Sequence, residues 1–355
     1  MEPHERGELV EKGSIWQAGW IDTLGRFLAL VLVYGFFALM VEGGKFYTDR
    51  NLENIARQCA VYATAGIGMT FIIIAAGIDL SVGSIIALTI VVIAYVQNYS
   101  YRGADGKEMF LIHEYPTLLP MAAVAAGLLV ATLAGMLNGL LIVSLRLVPF
   151  IITLGTMMIF RGAAKDLAQE RDIYPIQDTW IKNIMDPTLV SPDPSRNWMI
   201  LPPGVWMLIV SAVVAALLLR YTRLGRHIFA VGSNEETARL CGVQVKRTKI
   251  IVYTLGGLFA GLAGMMEFSF IRGIGQPTAG ISYELFVIAA VVIGGGSFLG
   301  GEGSVLGTVI GALIITILYM GGQQMGWPKP RQEELIGAII IAAVALDRLR
   351  HAKTG

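Results

Sequence analysis

The chain has 355 residues, of which 55% are hydrophobic and 15% charged, more apolar side chains than a water-soluble surface accommodates. Lys and Arg total 27 against 26 for Asp and Glu, so no charge excess draws nucleic acid, and the cations inform only through position. Two cysteines, Cys59 and Cys241, leave no disulfide framework, and the composition describes a polytopic protein of the lipid bilayer.

The N-terminal stretch MEPHERGELVEKG mixes acids with bases and leads into no short apolar core with a small-residue cleavage site, so it does not read as a signal peptide. Residues 1–25 are read as a cytoplasmic or interfacial segment, with Trp16 and Trp20 on one helical face, or as a partly ordered tail. Ten apolar segments follow: 26–41, 57–77, 82–97, 118–144, 147–160, 203–219, 249–266, 284–299, 303–321 and 334–349. Several fall short of the roughly 20 residues that a span requires, so broken or half-spanning helices are expected in an all-α membrane bundle. Residues 26–349 are taken as one transmembrane domain and 350–355 as a cytoplasmic tail.

Between the first segments, Gly77-Ile78-Asp79-Leu80-Ser81-Val82-Gly83-Ser84 interrupts apolar sequence with an acid and helix-end residues. Irregular backbone at membrane depth survives only buried in protein or beside a cavity. Two readings of Asp79 stand: a cap for the next helix, shared with Ser81, or a place on a translocation pathway. The segment 118–144 is too long for a perpendicular span and is expected to tilt or break around Gly135 to Gly139, with Asn138 joining helices. Pro149 suits a first helical position, and the apolar run after it lasts about three turns before Arg161. Thr153 and Thr156 on that run either face the pathway or bond back to their own helix.

The loop 161–202 carries five cations and six anions, without the positive excess of a cytoplasmic loop. The stretch 220–249 is its opposite, with Arg220, Arg223, Arg226, Arg239, Lys246, Arg247 and Lys249 against Glu235 and Glu236. The positive-inside rule puts it in the cytoplasm, and the even segment count then puts both termini there too, in keeping with Arg348, Arg350 and Lys353. Within it, Ser233-Asn234-Glu235-Glu236 has the form of a capping box and Gly242 supplies a left-handed stop, predicting a helix from Asn234 to Cys241 too short to be stable alone. The plainer reading is a capped turn in a loop.

Beyond it, Gly257, Gly261 and Gly264 share one helical face, the small-residue signature of close packing. Glu267 and Arg272 read as interfacial charges at the outer boundary. The glycine-rich stretch 294–304 is not a Walker A loop, and its Gly303-Ser304 aligned on Gly83-Ser84 hints at an internal duplication. All four histidines lie outside the apolar segments, and H-E-x-x-H, paired zinc cysteines and G-x-S-x-G are absent from the sequence. The chemistry is therefore that of a conduit without catalytic residues, a metal site or a bound cofactor.

Over residues 45 to 345 the chain resembles the permease subunits of bacterial sugar ABC importers of the ribose, xylose and arabinose type, relatives of branched-chain amino acid permeases. The resemblance is carried by Gly77 to Ser84, Thr153-Leu154-Gly155-Thr156 with Arg161-Gly162, Thr222-Arg223-Leu224-Gly225-Arg226, Ala230 to Asn234, Gly242-Val243, Gly261 to Gly264 and Gly294-Gly295. Glu236-Thr237-Ala238-Arg239-Leu240-Cys241-Gly242 looks like the cytoplasmic loop with which importer permeases dock on their ATPase. The resemblance implies a homodimer in the bacterial inner membrane, a cytoplasmic ATPase partner that holds ATP and Mg, and a periplasmic or extracellular sugar-binding protein. It assigns ATPase coupling to Ser233, Asn234, Glu235, Glu236, Ala238, Arg239, Leu240 and Gly242, and leaves Asp79, Ser81, Asn138, Thr153 and Thr156 as candidates for the pathway. The chain departs from the family at Lys165 to Asp172 and in the length and acidity of the outer loop. A small-solute permease of the same architecture and a self-sufficient channel or secondary transporter are the rival expectations.

Overall fold

A computed structural model describes residues 14–102, 107–188 and 198–351. The helices are α1 (Ser14–Met40), α2 (Asp49–Ile74), α3 (Val82–Gln97), α4 (Leu111–Glu114), α5 (Leu118–Leu145), α6 (Pro149–Leu167), α7 (Pro203–Tyr221), α8 (Arg223–Ser233), α9 (Glu235–Leu240), α10 (Val245–Phe270), α11 (Tyr283–Ile293), α12 (Val305–Gln324) and α13 (Lys329–His351). A hairpin of β1 (Ser100–Arg102) and β2 (Glu108–Phe110) completes the described structure, with two short 3₁₀ turns. The all-α polytopic bundle expected from composition is what forms, and each of the ten apolar segments has its own helix, although 57–77 and 284–299 run past the ends of α2 and α11 at Ile74 and Ile293. Among the described residues, six helices are long and apolar enough to cross a membrane, while α3 and α11 are apolar but short.

Boundaries differ from expectation where polar residues extend an apolar run. Helix α1 begins at Ser14, well before residue 26, although the shared face of Trp16 and Trp20 concerns side chains outside the described residues, as do residues 1–13 and Lys353. Helix α6 runs through Arg161 and Lys165 to Leu167 because the Arg161 guanidinium is satisfied, donating to the carbonyls of Pro277 and Ala279 at 3.0 and 2.5 Å. Of the tilt or break expected around Gly135 to Gly139, a break does not occur, since α5 is continuous. Its glycines serve close approach instead: a Cβ on Gly135 would lie 2.2 Å from the Tyr253 carbonyl and 2.8 Å from the Gly257 Cα of α10. Gly257 and Gly261 face Ala131 of α5, whereas Gly264 faces Thr89 of α3.

Helix α2 is the axis of the bundle, with 94% of its apolar window buried, and it packs against α10, α11, α12 and α7. The loops separate to two ends. One end gathers the hairpin and outer-loop residues, linked by Asn98 donating to the Tyr174 carbonyl, His113 to Gln177, the Ile173–Gly275 bridge and Gln324 to Asn51. The other gathers the turn after Ile74, α8, α9 and the glycine-rich stretch, and it carries all seven cations of 220–249.

Two non-helical segments enter the bundle from opposite ends. Residues 75–81 start beside Gly301, whose amide donates to the Ile74 carbonyl at 2.8 Å, and return inward to the start of α3. Residues 275–282 start against Ala94 near the end of α3 and reach Gly280, which packs on Gly83 near the start of α3. Eleven residues of α3 separate those contacts, a rise of about 16 Å, so the N-termini of α3 and α11 meet inside the bundle. The glycines permit the crossing, since a Cβ on Gly83 would stand 2.2 Å from the Gly280 carbonyl.

The pair α2–α3 thus has its counterpart in α10–α11, running in the opposite sense. Neighbours repeat accordingly: α3 packs on α5 and α6 as α11 packs on α12 and α13, and α10 on α5 as α2 on α12. This corrects the duplication inferred from Gly83-Ser84 and Gly303-Ser304. Ser304 is the N-cap of α12, accepting from Gly307 N at 2.9 Å, whereas Ser84 lies inside α3 and donates to the Ser81 carbonyl.

Candidate functional site: coupling surface and membrane breaks

The basic stretch 220–249 is more ordered than a loop with one short helix. Thr222 caps α8 by accepting from Gly225 N at 3.1 Å, and α8 is amphipathic, burying Gly225, Ile228, Val231 and Gly232 while Arg223 and Arg226 face outward. Its end is the tightest junction in the bundle. A Cβ on Gly232 would lie 1.6 Å from the Ile74 carbonyl and 2.7 Å from the Gly301 amide, so α8 rests on the backbone where the 75–81 break starts and on the glycine-rich stretch after α11.

Helix α9 follows directly. The capping box anticipated at Ser233 is not formed: Ser233 is the last residue of α8, and Asn234 is the N-cap, its Oδ1 accepting from Thr237 N at 2.8 Å. Ser233 is held helical by α8, which leaves the next extended residue, Asn234, to meet the exposed amides. At the other end Gly242 adopts φ +84, its amide donating to the Arg239 carbonyl while that of Val243 donates to Ala238. The six-residue helix is anchored on its own chain, with Ala238 packed between Val231 and Val245 and Glu235 paired with Lys249 at 2.6 Å. Glu236, Arg239 and Leu240 point outward, Leu240 being 81% exposed. Beside α9 lies a cavity of about 460 Å³ lined by Arg146, Arg239, Lys246 and Lys249 with Glu235.

The five candidate pathway residues are all buried, none more than 3% exposed. Asp79 Oδ1 accepts from Ser81 N at 2.7 Å and Ser81 Oγ at 2.6 Å, so it braces the N-cap residue of α3 rather than the first helical amides. Asn138 of α5 donates to Ser81 Oγ at 2.8 Å and approaches Asp79 Oδ2 at 3.5 Å, tying the break to the facing helix. Thr153 of α6 accepts from Leu80 N at 3.2 Å, and Tyr253 of α10 donates to the Ile78 carbonyl at 3.4 Å. Thr156 stands apart, bonding back to the Thr153 carbonyl of its own helix. Four of the five therefore form one polar knot around the break, with Tyr253 as a member that sequence reasoning missed.

A second site escaped the sequence. At the end opposite α9, α2, α10, α11 and α12 enclose a cavity of about 670 Å³ that reaches down to the start of α11. Gln58, Tyr62, Glu267, Tyr283, Phe286 and Tyr319 line it. Glu267 is not the interfacial charge expected: it is 5% exposed, its Oε1 accepts from Tyr283 OH at 3.0 Å, and its Oε2 has no partner. The signal was available in the i, i+4 spacing of Gln58 and Tyr62 on α2, but both residues read as ordinary core positions of an apolar run.

An apolar bundle with paired inverted breaks and an exposed capped helix at one end has the architecture of a membrane transport protein. The chain belongs to the family described as branched-chain amino acid transport system / permease component, whose model matches residues 51–344. It is 34% identical to the ribose import permease protein of Escherichia coli (strain K12) over 94% of this chain and 95% of that relative. It is 37% identical to the ribose import permease protein of Haemophilus influenzae, covering 92% of this chain and 93% of the relative. The D-allose transport system permease protein of Escherichia coli (strain K12) is 35% identical over 97% of each chain. No solved structure matches the chain.

Proposed function

We propose that this chain is the membrane permease subunit of a binding-protein-dependent ABC importer that carries a monosaccharide into the cytoplasm. The relatives, whose printed names specify ribose, allose, fructose and arabinose, support the substrate class. The observation that carries the mechanism is the seat of Gly232 on Ile74 and Gly301, which joins the exposed helix α9 through α8 to the start of the 75–81 break and to the glycine-rich stretch.

In this reading the basic end is cytoplasmic, as the cation excess of 220–249 requires, and both termini share that side of the bacterial inner membrane. A cytoplasmic ATPase, holding ATP and Mg, receives Leu240, Arg239 and Glu236 in a groove, while Asn234, Ala238 and Gly242 keep α9 in shape and Glu235 fixes it to Lys249. Ser233 transmits the movement into α8. Closure of the ATPase shifts the conformational equilibrium by the difference in its affinity for the two states of the permease. The polar knot of Asp79, Ser81, Asn138 and Thr153 keeps the 75–81 break intact as it moves and becomes a wall of the opened route, with Thr156 one turn away. A second permease copy completes the route, and the loop 161–202 receives the sugar-binding protein.

A second reading, import of a branched-chain amino acid, follows from the description of the family model. Uptake into proteoliposomes containing this chain, its cognate ATPase and binding protein separates the two. Sugar uptake that needs all three and ATP is expected; uptake of leucine but of no sugar overturns the substrate assignment.

A further inference from the structure

We infer that the cavity between α2, α10, α11 and α12 is a sugar-binding station within the permease itself, in which Glu267 binds hydroxyl groups of the transported monosaccharide. The inference rests on the sugar reading above and adds to it a site, its residues and its chemistry.

Buried polar atoms are almost always paired, because an unmade hydrogen bond costs the full desolvation of the group. Glu267 Oε2 is buried and unpaired while its sister oxygen is held by Tyr283, which fixes the carboxyl in the wall of the cavity with one oxygen unsatisfied. In either protonation state that oxygen complements a hydroxyl, accepting when ionised and donating when protonated.

The rest of the lining matches a sugar on both counts that matter. A monosaccharide presents a rim of hydroxyls and one or two faces of C–H groups. Gln58 and Asn54 of α2 and Gln276 of the re-entrant segment supply amide donors and acceptors. Tyr62, Tyr283 and Phe286 form an aromatic cluster, with Tyr62 perpendicular to Tyr283 at 4.9 Å and to Phe286 at 5.6 Å between centroids. Such rings pack on C–H faces and keep a polar rim in reach. The volume of about 670 Å³ lies in the range of about 300–1,000 Å³ typical of small-molecule sites.

Position makes the station part of the transport route. The cavity opens at the end opposite α9, and its floor is the segment 278–283, which carries Gly280 against Gly83. A sugar resting on Glu267 therefore sits directly above the crossing of the two breaks. Arg161 of α6 holds that floor through the Pro277 and Ala279 carbonyls. Movement of the breaks changes the floor, so affinity differs between conformations, which is the condition for handing the ligand on.

The test is saturation-transfer NMR on the full chain in nanodiscs with D-ribose, D-allose and D-fructose as probes and L-leucine as the control. Uptake by the same chain with its cognate ATPase and binding protein is measured alongside. At least one sugar that is taken up should show transfer, leucine should not, and E267A should weaken binding at least about tenfold, with E267Q, which keeps an acceptor for Tyr283, weakening it less. T278W, a change on the exposed floor of the cavity, should abolish transfer without disturbing the fold and serves where E267A does not fold. No transfer to wild type while that sugar is taken up, or transfer unchanged in E267A and T278W, overturns the station and leaves the sugar reading standing. Uptake and transfer for leucine alone overturn both.

Discussion

Gly232→Ala is the smallest change that addresses how movement passes from α9 to the 75–81 break. The added methyl would lie 1.6 Å from the Ile74 carbonyl, where ordinary contact begins at 3.4 Å, so α8 must retreat by nearly 2 Å or push the α2 end aside. Overpacking of this kind costs about 1–3 kcal/mol. Displacing Ile74 also strains its bond from the Gly301 amide, and a buried backbone pair left unmade costs about 1–3 kcal/mol more. A bias of about 2 kcal/mol between conformations already changes their ratio more than tenfold. G232A should therefore lower ATP-driven uptake in proteoliposomes by at least about tenfold and lower the thermal unfolding midpoint, while the ATPase still copurifies because the exposed face of α9 is unaltered. Wild-type uptake together with wild-type melting would refute the coupling path through Gly232.

Other substitutions separate docking, bracing and route. L240D replaces a side chain that is 81% exposed, so melting should be unchanged while retention of the ATPase on an affinity column falls severalfold. N138L removes the donor to Ser81 Oγ and should destabilise the purified chain by about 1–3 kcal/mol, read as a lower midpoint in detergent; an unchanged midpoint would show that the knot braces nothing. G280A puts a methyl at φ +67 and 2.7 Å from the Gly83 carbonyl, and uptake should be lost with expression retained. R161M frees the Pro277 and Ala279 carbonyls, and hydrogen exchange over 276–282 should speed relative to α11.

Most of the architecture was legible because the bilayer imposes it. Apolar length marked a helix for each of the ten segments, six of them long and apolar enough to span, and the cation excess of 220–249 marked one end. Gly242 was readable as a left-handed stop because no other feature ends α9 so economically. The misreadings share a cause, since a local motif has neighbours that only folding supplies. Ser233 has the form of a cap, yet the amphipathic α8 extends through it and passes the role to Asn234. Gly135 and Gly139 resemble a hinge in a single helix, and their meaning appears only when α10 lies against them. Glu267 looks like a boundary charge in sequence because nothing local shows that 275–282 turns inward and encloses it. The inverted relation of α2–α3 to α10–α11 was missed because matched letters were sought, and the likeness lies in path and neighbours.

The most direct measurement is copurification. The chain is coexpressed with the candidate sugar-importer ATPase from its own source, in wild-type form and with residues 234–242 scrambled, and isolated through a tag on the permease. Wild type should retain the ATPase and the scrambled chain, folded by its melting curve, should not. Equal retention by both would contradict docking through α9, and a folded wild type that retains none while taking up solute by itself would contradict an ATPase-driven permease and establish a self-sufficient transporter in its place.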